Sequence, residues 1–418
     1  MKHRLSVLLL SLIAFVPHIP AMPADSLRRV GFSVSFNPGN EVKMDKYQRK
    51  WMKGTRNYSV GAECHFMSLP QDSDAYAADF GYPTLSVGMK YSFNHGVTMH
   101  RSSDEAWGKA QEVDYDSRMG NSVAVYGSFA RPLLRSQRWE IDYTFNFGVG
   151  YTAHKYNTVD AIDNELIGSR WLIFFGAGVH ATCRIAPTWG IKGGVEYWHL
   201  SNGALNRPNK GANFIGPSLG ICYYPYYEQV ADKAQRRFSL PFRKYLYVQL
   251  ATGVGAKTLH EDWQLTQFNT AKGEENYRTD KFRRYVCYSV RADVMYRYAR
   301  RWASGLGVEV FYGSHYRHVE ELDRKNGSTL PHSPWSIGIA AKHEVFYHNF
   351  SMPVALGVYL FRQMGENARK IEKPFYERIG IHYSFPRWGG LKVGINVNAH
   401  LTKADFTEVA LGIPLRLK

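Results

Sequence analysis

Cysteine is scarce in this chain. Its 418 residues include four, Cys64, Cys183, Cys222 and Cys287, and none stands in a CxxC pair. That spacing excludes a disulfide framework and a thiolate metal site. Strand alternation predicts outward faces for Cys64 and Cys183 and inward ones for Cys222 and Cys287. Long apolar runs are missing too: beyond the N-terminus no stretch approaches the roughly 20 residues that a spanning helix needs. Transmembrane helices are therefore excluded from the mature chain. His65, His180 and His343 are scattered rather than set at ligand spacing, so neither a metal nor a cofactor is expected. Acidic residues are the minority, 36 Asp and Glu against 52 Lys and Arg, a formal charge of +16. The basic residues are dispersed along the chain, which argues against a nucleic-acid partner.

The N-terminus gives the compartment. Lys2 and Arg4 precede an apolar run from Leu5 to Val16, and Ala21 and Ala24 supply small residues near a cut. This order predicts a cleaved signal peptide over residues 1–24 and an exported chain. Its removal lowers the formal charge to +14.

The rest of the sequence is rich in strand signals, with 15% aromatics, 28 Tyr and 37 Gly. Leu85, Val87, Met89, Tyr91 and Phe93 alternate with Ser86, Gly88, Lys90 and Ser92. Trp139 to Tyr151 alternates in the same way. Alternating segments this long, apolar on one side and small or polar on the other, are those of a transmembrane barrel. Soluble strands average only about five or six residues. Eight strands are expected near 29–37, 56–67, 83–94, 121–132, 138–153, 169–185, 188–201 and 213–224. Eight more are expected near 244–257, 282–299, 301–313, 335–347, 349–362, 375–386, 389–402 and 405–417. Long and short connections alternate, as extracellular loops and periplasmic turns do. Segment 68–82 is longer than a periplasmic turn should be.

The expected fold is thus all-β, an antiparallel transmembrane barrel system of about 16 strands. Two tandem eight-stranded barrels are favoured over a single sixteen-stranded one. The inner positions are Gly-rich and carry charge partners such as Arg291, Asp293 and Glu309, which suits a packed interior. The organisation reads as a signal peptide (1–24), a first barrel (25–225), a charged periplasmic linker (226–243) and a second barrel half of unknown role (244–418).

Candidate chemistry sits at His199-Leu200-Ser201-Asn202-Gly203, followed by Pro208-Asn209-Lys210-Gly211-Ala212-Asn213. His199 and Ser201 share a strand face with Tyr197, Val195 and Ile191, which is the face turned to lipid. Same-face neighbours lie about 7 Å apart along the backbone, within reach of an imidazole. A serine and its base on a lipid-facing wall point to an enzyme whose substrate is a membrane lipid. The segment Gly193 to Leu200 has a look-alike in Val393 to Leu401, but the register is shifted by one. His400 is therefore expected to point into its barrel, and the second half to carry no copy of the site.

The His-Leu-Ser-Asn-Gly segment, the Pro-Asn-x-Gly loop and the strand that closes it resemble the lipid A 3-O-deacylase family of outer-membrane enzymes. The resemblance covers about residues 25–225 in organisation and 193–224 in motif. It implies an eight-stranded barrel, Ser201 as nucleophile and His199 as general base. The family's third member, a glutamate that orients the histidine, falls at Asn213. An asparagine carbonyl can hold the imidazole N–H but cannot stabilise imidazolium by charge. A slower enzyme or a different orienting carboxylate is therefore expected. The resemblance also suggests Asn202 and Asn209 as oxyanion donors. Arg207 and Lys210 are placed to pair with the phosphates of lipopolysaccharide.

The expected function is a carboxylic ester hydrolase of the Gram-negative outer membrane. It would remove an ester-linked acyl chain from lipid A without a cofactor. The alternative is a non-enzymatic barrel, a porin or structural protein, with a decayed site.

Overall fold

Alternation that runs for ten or more residues leaves a strand one face to bury and one to give to lipid, and closure is how such strands avoid an open edge. The computed structural model, which describes residues 29–231, 240–372, 374–401 and 403–417, shows two closures. The expected signal peptide and part of the linker lie outside the described residues. The first barrel is built from β1 (Val30–Glu41), β2 (Met52–Phe66), β3 (Thr84–Met99), β5 (Ser122–Arg135), β6 (Trp139–Thr152), β7 (Trp171–Arg184), β8 (Trp189–Ser201) and β9 (Ala212–Tyr223). A two-residue strand, β4 (Ser117–Arg118), is appended to β3. Antiparallel pairing of β1 with β9 closes the ring.

The second barrel runs from β10 (Tyr245–Lys257) and β11 (Tyr285–Ala299) through β12 (Trp302–Gly313), β13 (His332–Tyr347) and β14 (Phe350–Met364). It ends with β15 (Phe375–Phe385), β16 (Leu391–His400) and β17 (Lys403–Arg416), and β17 closes on β10. All sixteen expected strands are present, and the tandem arrangement holds. Several extend past their expected ends: β1 reaches Glu41 and β3 reaches Met99, because ladder bonding continues after apolar alternation stops.

The walls are apolar outside. Val87, Val195 and Leu219 in the first barrel are well exposed, as are Val290, Leu306 and Val409 in the second. Aromatic pairs mark the rims of the first barrel, Tyr151 with Trp171 at the long-loop end and Trp189 with Tyr223 at the short-turn end. Such belts belong at membrane interfaces. Cys222 and Cys287 are buried, and all four cysteines are free thiols.

The interiors are filled, by paired charges as well as by apolar clusters that include Phe174, Trp198 and Phe214 in the first barrel and Phe311 and Tyr376 in the second. In the first barrel Lys90 Nζ lies 2.6 Å from Glu196 and 4.4 Å from the Trp198 ring, while Lys192 pairs with Asp142 at 3.2 Å. In the second, Lys342 bridges Asp293 and Glu309, Arg378 reaches Glu309 at 2.6 Å, and Arg291 pairs with Glu408. A cavity of about 40 Å³ among Arg291, Asp293, Lys342 and Glu344 has room for a few waters at most. Buried ions persist when paired, and these pairs close the lumen that a porin keeps open.

The barrels meet at both ends. At the short-turn end, segment 67–83 forms two short helices (Pro70–Asp72 and Ala75–Asp79) that dock on the second barrel. Tyr76 accepts from Arg297 at 3.0 Å, Asp79 meets Arg300 at 3.3 Å, and Asp74 meets His348 at 2.9 Å. The unusual length of this turn is therefore explained by the second barrel. At the long-loop end, the segment between β10 and β11 reaches over the mouth of the first barrel. There Phe268 packs on a core cluster that includes Trp51 and Trp107, and Arg278 pairs with Asp163.

Candidate active site

β8 carries His199 and Ser201 to its long-loop end, and Asn213, the second residue of β9, lies beside His199. Pairing sets His199 between Phe175 of β7 and Asn213 of β9, and sets Ser201 opposite Ile173. Period-two alternation sends Trp198 and Leu200 into the core, where both are buried, and leaves His199 and Ser201 on the outer face.

His199 Nδ1 lies 2.8 Å from Asn213 Oδ1. The direction of this bond follows from the amide: Asn213 Nδ2 donates to the Gly211 carbonyl at 3.2 Å, so Oδ1 is the atom facing the imidazole. A carbonyl oxygen only accepts. The ring proton therefore sits on Nδ1, and Nε2 keeps its lone pair. Tyr197 Oη donates to the same Asn213 oxygen at 2.7 Å, fixing the amide from a second side. The Asn213 backbone N–H donates to Glu41 Oε2 at 2.8 Å. Neither Tyr197 nor Glu41 was singled out from the sequence. The position of Tyr197 on the His199 face was a usable signal, whereas Glu41 lay beyond the expected end of β1. Ser201 is buried, and no hydrogen bond joins its hydroxyl to His199.

The loop from Ser201 to Asn213 is tightly held. The Asn202 backbone N–H donates to Asn209 Oδ1 at 2.9 Å, which leaves the Asn209 amide hydrogens as donors. Asn202 itself spends its side-chain amide on Ser169 Oγ at 3.0 Å and the Asn206 carbonyl at 3.1 Å. Gly211 has φ +75°, and a Cβ there would fall 2.5 Å from His199 Cε1, so only glycine lets the loop pass against the ring.

The two basic residues of the loop are engaged within the protein. Lys210 Nζ pairs with Asp45 at 2.7 Å. Asp45 also caps the helix Lys46–Trp51 by accepting from the Gln48 N–H at 2.7 Å. Partial burial raises the Asp45 pKa, but the Lys210 ammonium and the Gln48 N–H outweigh it and hold the carboxyl below its usual range. Arg207 donates from Nε at 3.3 Å and from a terminal nitrogen at 3.2 Å to the Thr258 carbonyl of the second barrel.

His400 is buried inside the second barrel, 3.0 Å from Tyr359 Oη, as its parity requires. Ligand atoms of Glu372, His400 and Asp405 lie within 4.8 Å of one another, the one such group among the described residues. Arg362 pairs with Glu372 and Lys257 with Asp405, so both carboxylates already have cations.

A closed barrel with an apolar wall, aromatic rims and a His–Asn pair on its outer face belongs to the membrane barrels. The lipid A 3-O-deacylase model matches residues 81–221, and the model for the acyloxyacyl hydrolase C-terminal domain matches residues 246–417. The chain belongs to the lipid A 3-O-deacylase family of outer-membrane hydrolases. Among solved structures, the outer membrane enzyme PagL is 15% identical with a TM-score of 0.28, over 46% of this chain and 98% of that one. OccAB1 from Acinetobacter baumannii is 10% identical with a TM-score of 0.24, over 93% and 97%. No curated protein matches the chain.

Proposed function

We propose that this protein is a serine esterase that removes an acyl chain from lipid A at the wall of its first barrel. The observation that carries the reading is the His199–Asn213 bond, which puts the ring proton on Nδ1 and leaves Nε2 as a base. Nε2 takes the Ser201 proton as Oγ attacks the ester carbonyl. The negative oxygen of the tetrahedral intermediate is met by the free amide hydrogens of Asn209. Collapse breaks the bond to the sugar oxygen, which leaves with the proton from His199. Water, deprotonated by the same nitrogen, then releases the fatty acid and restores Ser201. Oxyanion donors of this kind contribute roughly 3 kcal/mol each. Asn202 supports the loop that presents Asn209 and is not itself a donor.

The porin alternative has no supporting observation, since ion pairs and apolar clusters fill both lumens. A fluorophosphonate probe tests the esterase reading. A covalent adduct is expected on the peptide containing Ser201, strongly reduced by His199→Ala. An unlabelled Ser201 in folded, membrane-reconstituted protein contradicts it.

A further inference from the structure

We infer that the second barrel is part of the esterase's working parts: Thr258, Arg284 and Thr407 are positioning residues that hold the loop after Ser201. This rests on the esterase reading above. Three successive loop carbonyls are taken by the second barrel. Gly203 O accepts from Thr407 Oγ1 at 2.8 Å. Ala204 O accepts from the Thr258 N–H at 2.8 Å and its Oγ1 at 3.1 Å. Leu205 O accepts from Arg284 Nε at 3.2 Å. Arg207 returns the contact by donating to the Thr258 carbonyl.

The approach is close. Gly203 has φ +59°, and a Cβ on it would fall 2.1 Å from Thr407 Oγ1 and 3.0 Å from Ile173, the residue paired with Ser201. The far end of the loop is tied to the second barrel less directly. Lys210 and Gly211 donate their backbone N–H groups to Glu165 O at 3.1 Å and Leu166 O at 3.0 Å. The neighbouring Asp163 is paired with Arg278 from the second barrel.

The reason this matters is geometric. Asn209, the oxyanion donor, is carried by this loop, whose Asn206, Lys210 and Gly211 are tied to the first barrel and whose Gly203, Ala204 and Leu205 carbonyls are tied to the second. Productive geometry has a tolerance of about 0.5 Å, and a displacement of about 1 Å costs on the order of a hundredfold in rate. Residues that fix the Gly203–Leu205 backbone therefore act on kcat through Asn209 while touching no substrate. The second barrel, whose role the sequence left open, becomes the clamp of the first.

The test uses the full chain in detergent micelles with purified lipid A as substrate, following fatty-acid release and hydrogen exchange of the 202–210 peptide. Thr407→Val keeps the shape of threonine and removes its hydroxyl. It is expected to lower kcat roughly fivefold, the worth of one hydrogen bond, with KM nearly unchanged. Thr407→Ser restores the rate. The combined Thr258→Val, Arg284→Gln and Thr407→Val variant is expected to lose on the order of a hundredfold. Exchange of 202–210 should speed up, while heat-modified gel migration still reports two folded barrels. Wild-type kcat in the combined variant overturns the inference, and so does unchanged exchange. A wild-type protein that releases no fatty acid instead removes the esterase reading itself, and this inference with it.

Discussion

The strands ending in His199 and His400 read almost alike and do opposite things. His199 lies on the outer wall and donates to Asn213, whereas His400 lies inside its barrel against Tyr359. One residue of register separates them, and on a strand one residue exchanges the two faces. In the first barrel the imidazole stands on the outer wall, on the same strand face as Ser201; in the second it becomes one more member of an ion-pair core. Chemistry in a barrel wall is assigned by parity before it is assigned by residue type.

The largest expected effect separates the two histidines outright. His199→Ala should lower the rate of acyl release by about a thousandfold, the middle of the range for a general base. His400→Ala should leave the rate within twofold. Comparable losses from both, measured on lipid A in micelles, would show that outward placement is not what matters.

Asn213 sharpens the same comparison. Asn213→Ala leaves the imidazole without its acceptor and should cost roughly tenfold or more. Asn213→Glu supplies a charge that stabilises imidazolium, and kcat should rise by about tenfold. A fall with glutamate would mean that the asparagine carbonyl, fixed by Tyr197 and Gly211, is the orienting group this site requires.

The smallest effect concerns the seam between the barrels. His260 stacks on Trp263 at 5.5 Å. Burial, with Arg207, Lys403 and Lys210 adding to it and Glu372 opposing, pushes its pKa down to about 3. Its folded value lies below the unfolded value of about 6.5, so the neutral ring is the form that fits. The stabilisation is fully present above that unfolded value and is lost as pH falls from about 6.5 toward 3. Hydrogen exchange in 258–268, corrected for intrinsic rates, should increase modestly between pH 7 and pH 5. His260→Gln should flatten that dependence, and an equal pH response in this variant would assign it elsewhere.

Much of the architecture was legible because alternation is local. Each strand announces its two faces within its own ten or more residues, and the parity of His199, Ser201 and His400 followed directly. What escaped the sequence is non-local. β1 was expected to stop at residue 37 because apolar alternation stops there, yet its ladder with β9 continues to Glu41, beside Asn213. The overlong turn 67–83 makes sense only once Arg297, Arg300 and His348 stand opposite it. The clamp on Gly203 comes from Thr407, some two hundred positions away, and no periodicity encodes such a contact. Arg207 and Lys210 looked free for phosphate because their partners, Thr258 and Asp45, are distant in the chain.

The central claim is tested most directly by mass spectrometry of lipid A. The sample is a Gram-negative host whose own lipid A keeps all its acyl chains and which expresses wild type or Ser201→Ala. The account predicts lipid A lighter by one acyl chain with wild type and unchanged lipid A with Ser201→Ala, both proteins folded in the outer membrane. Equal loss with both would move the nucleophile away from Ser201. No loss with folded wild type would contradict the account.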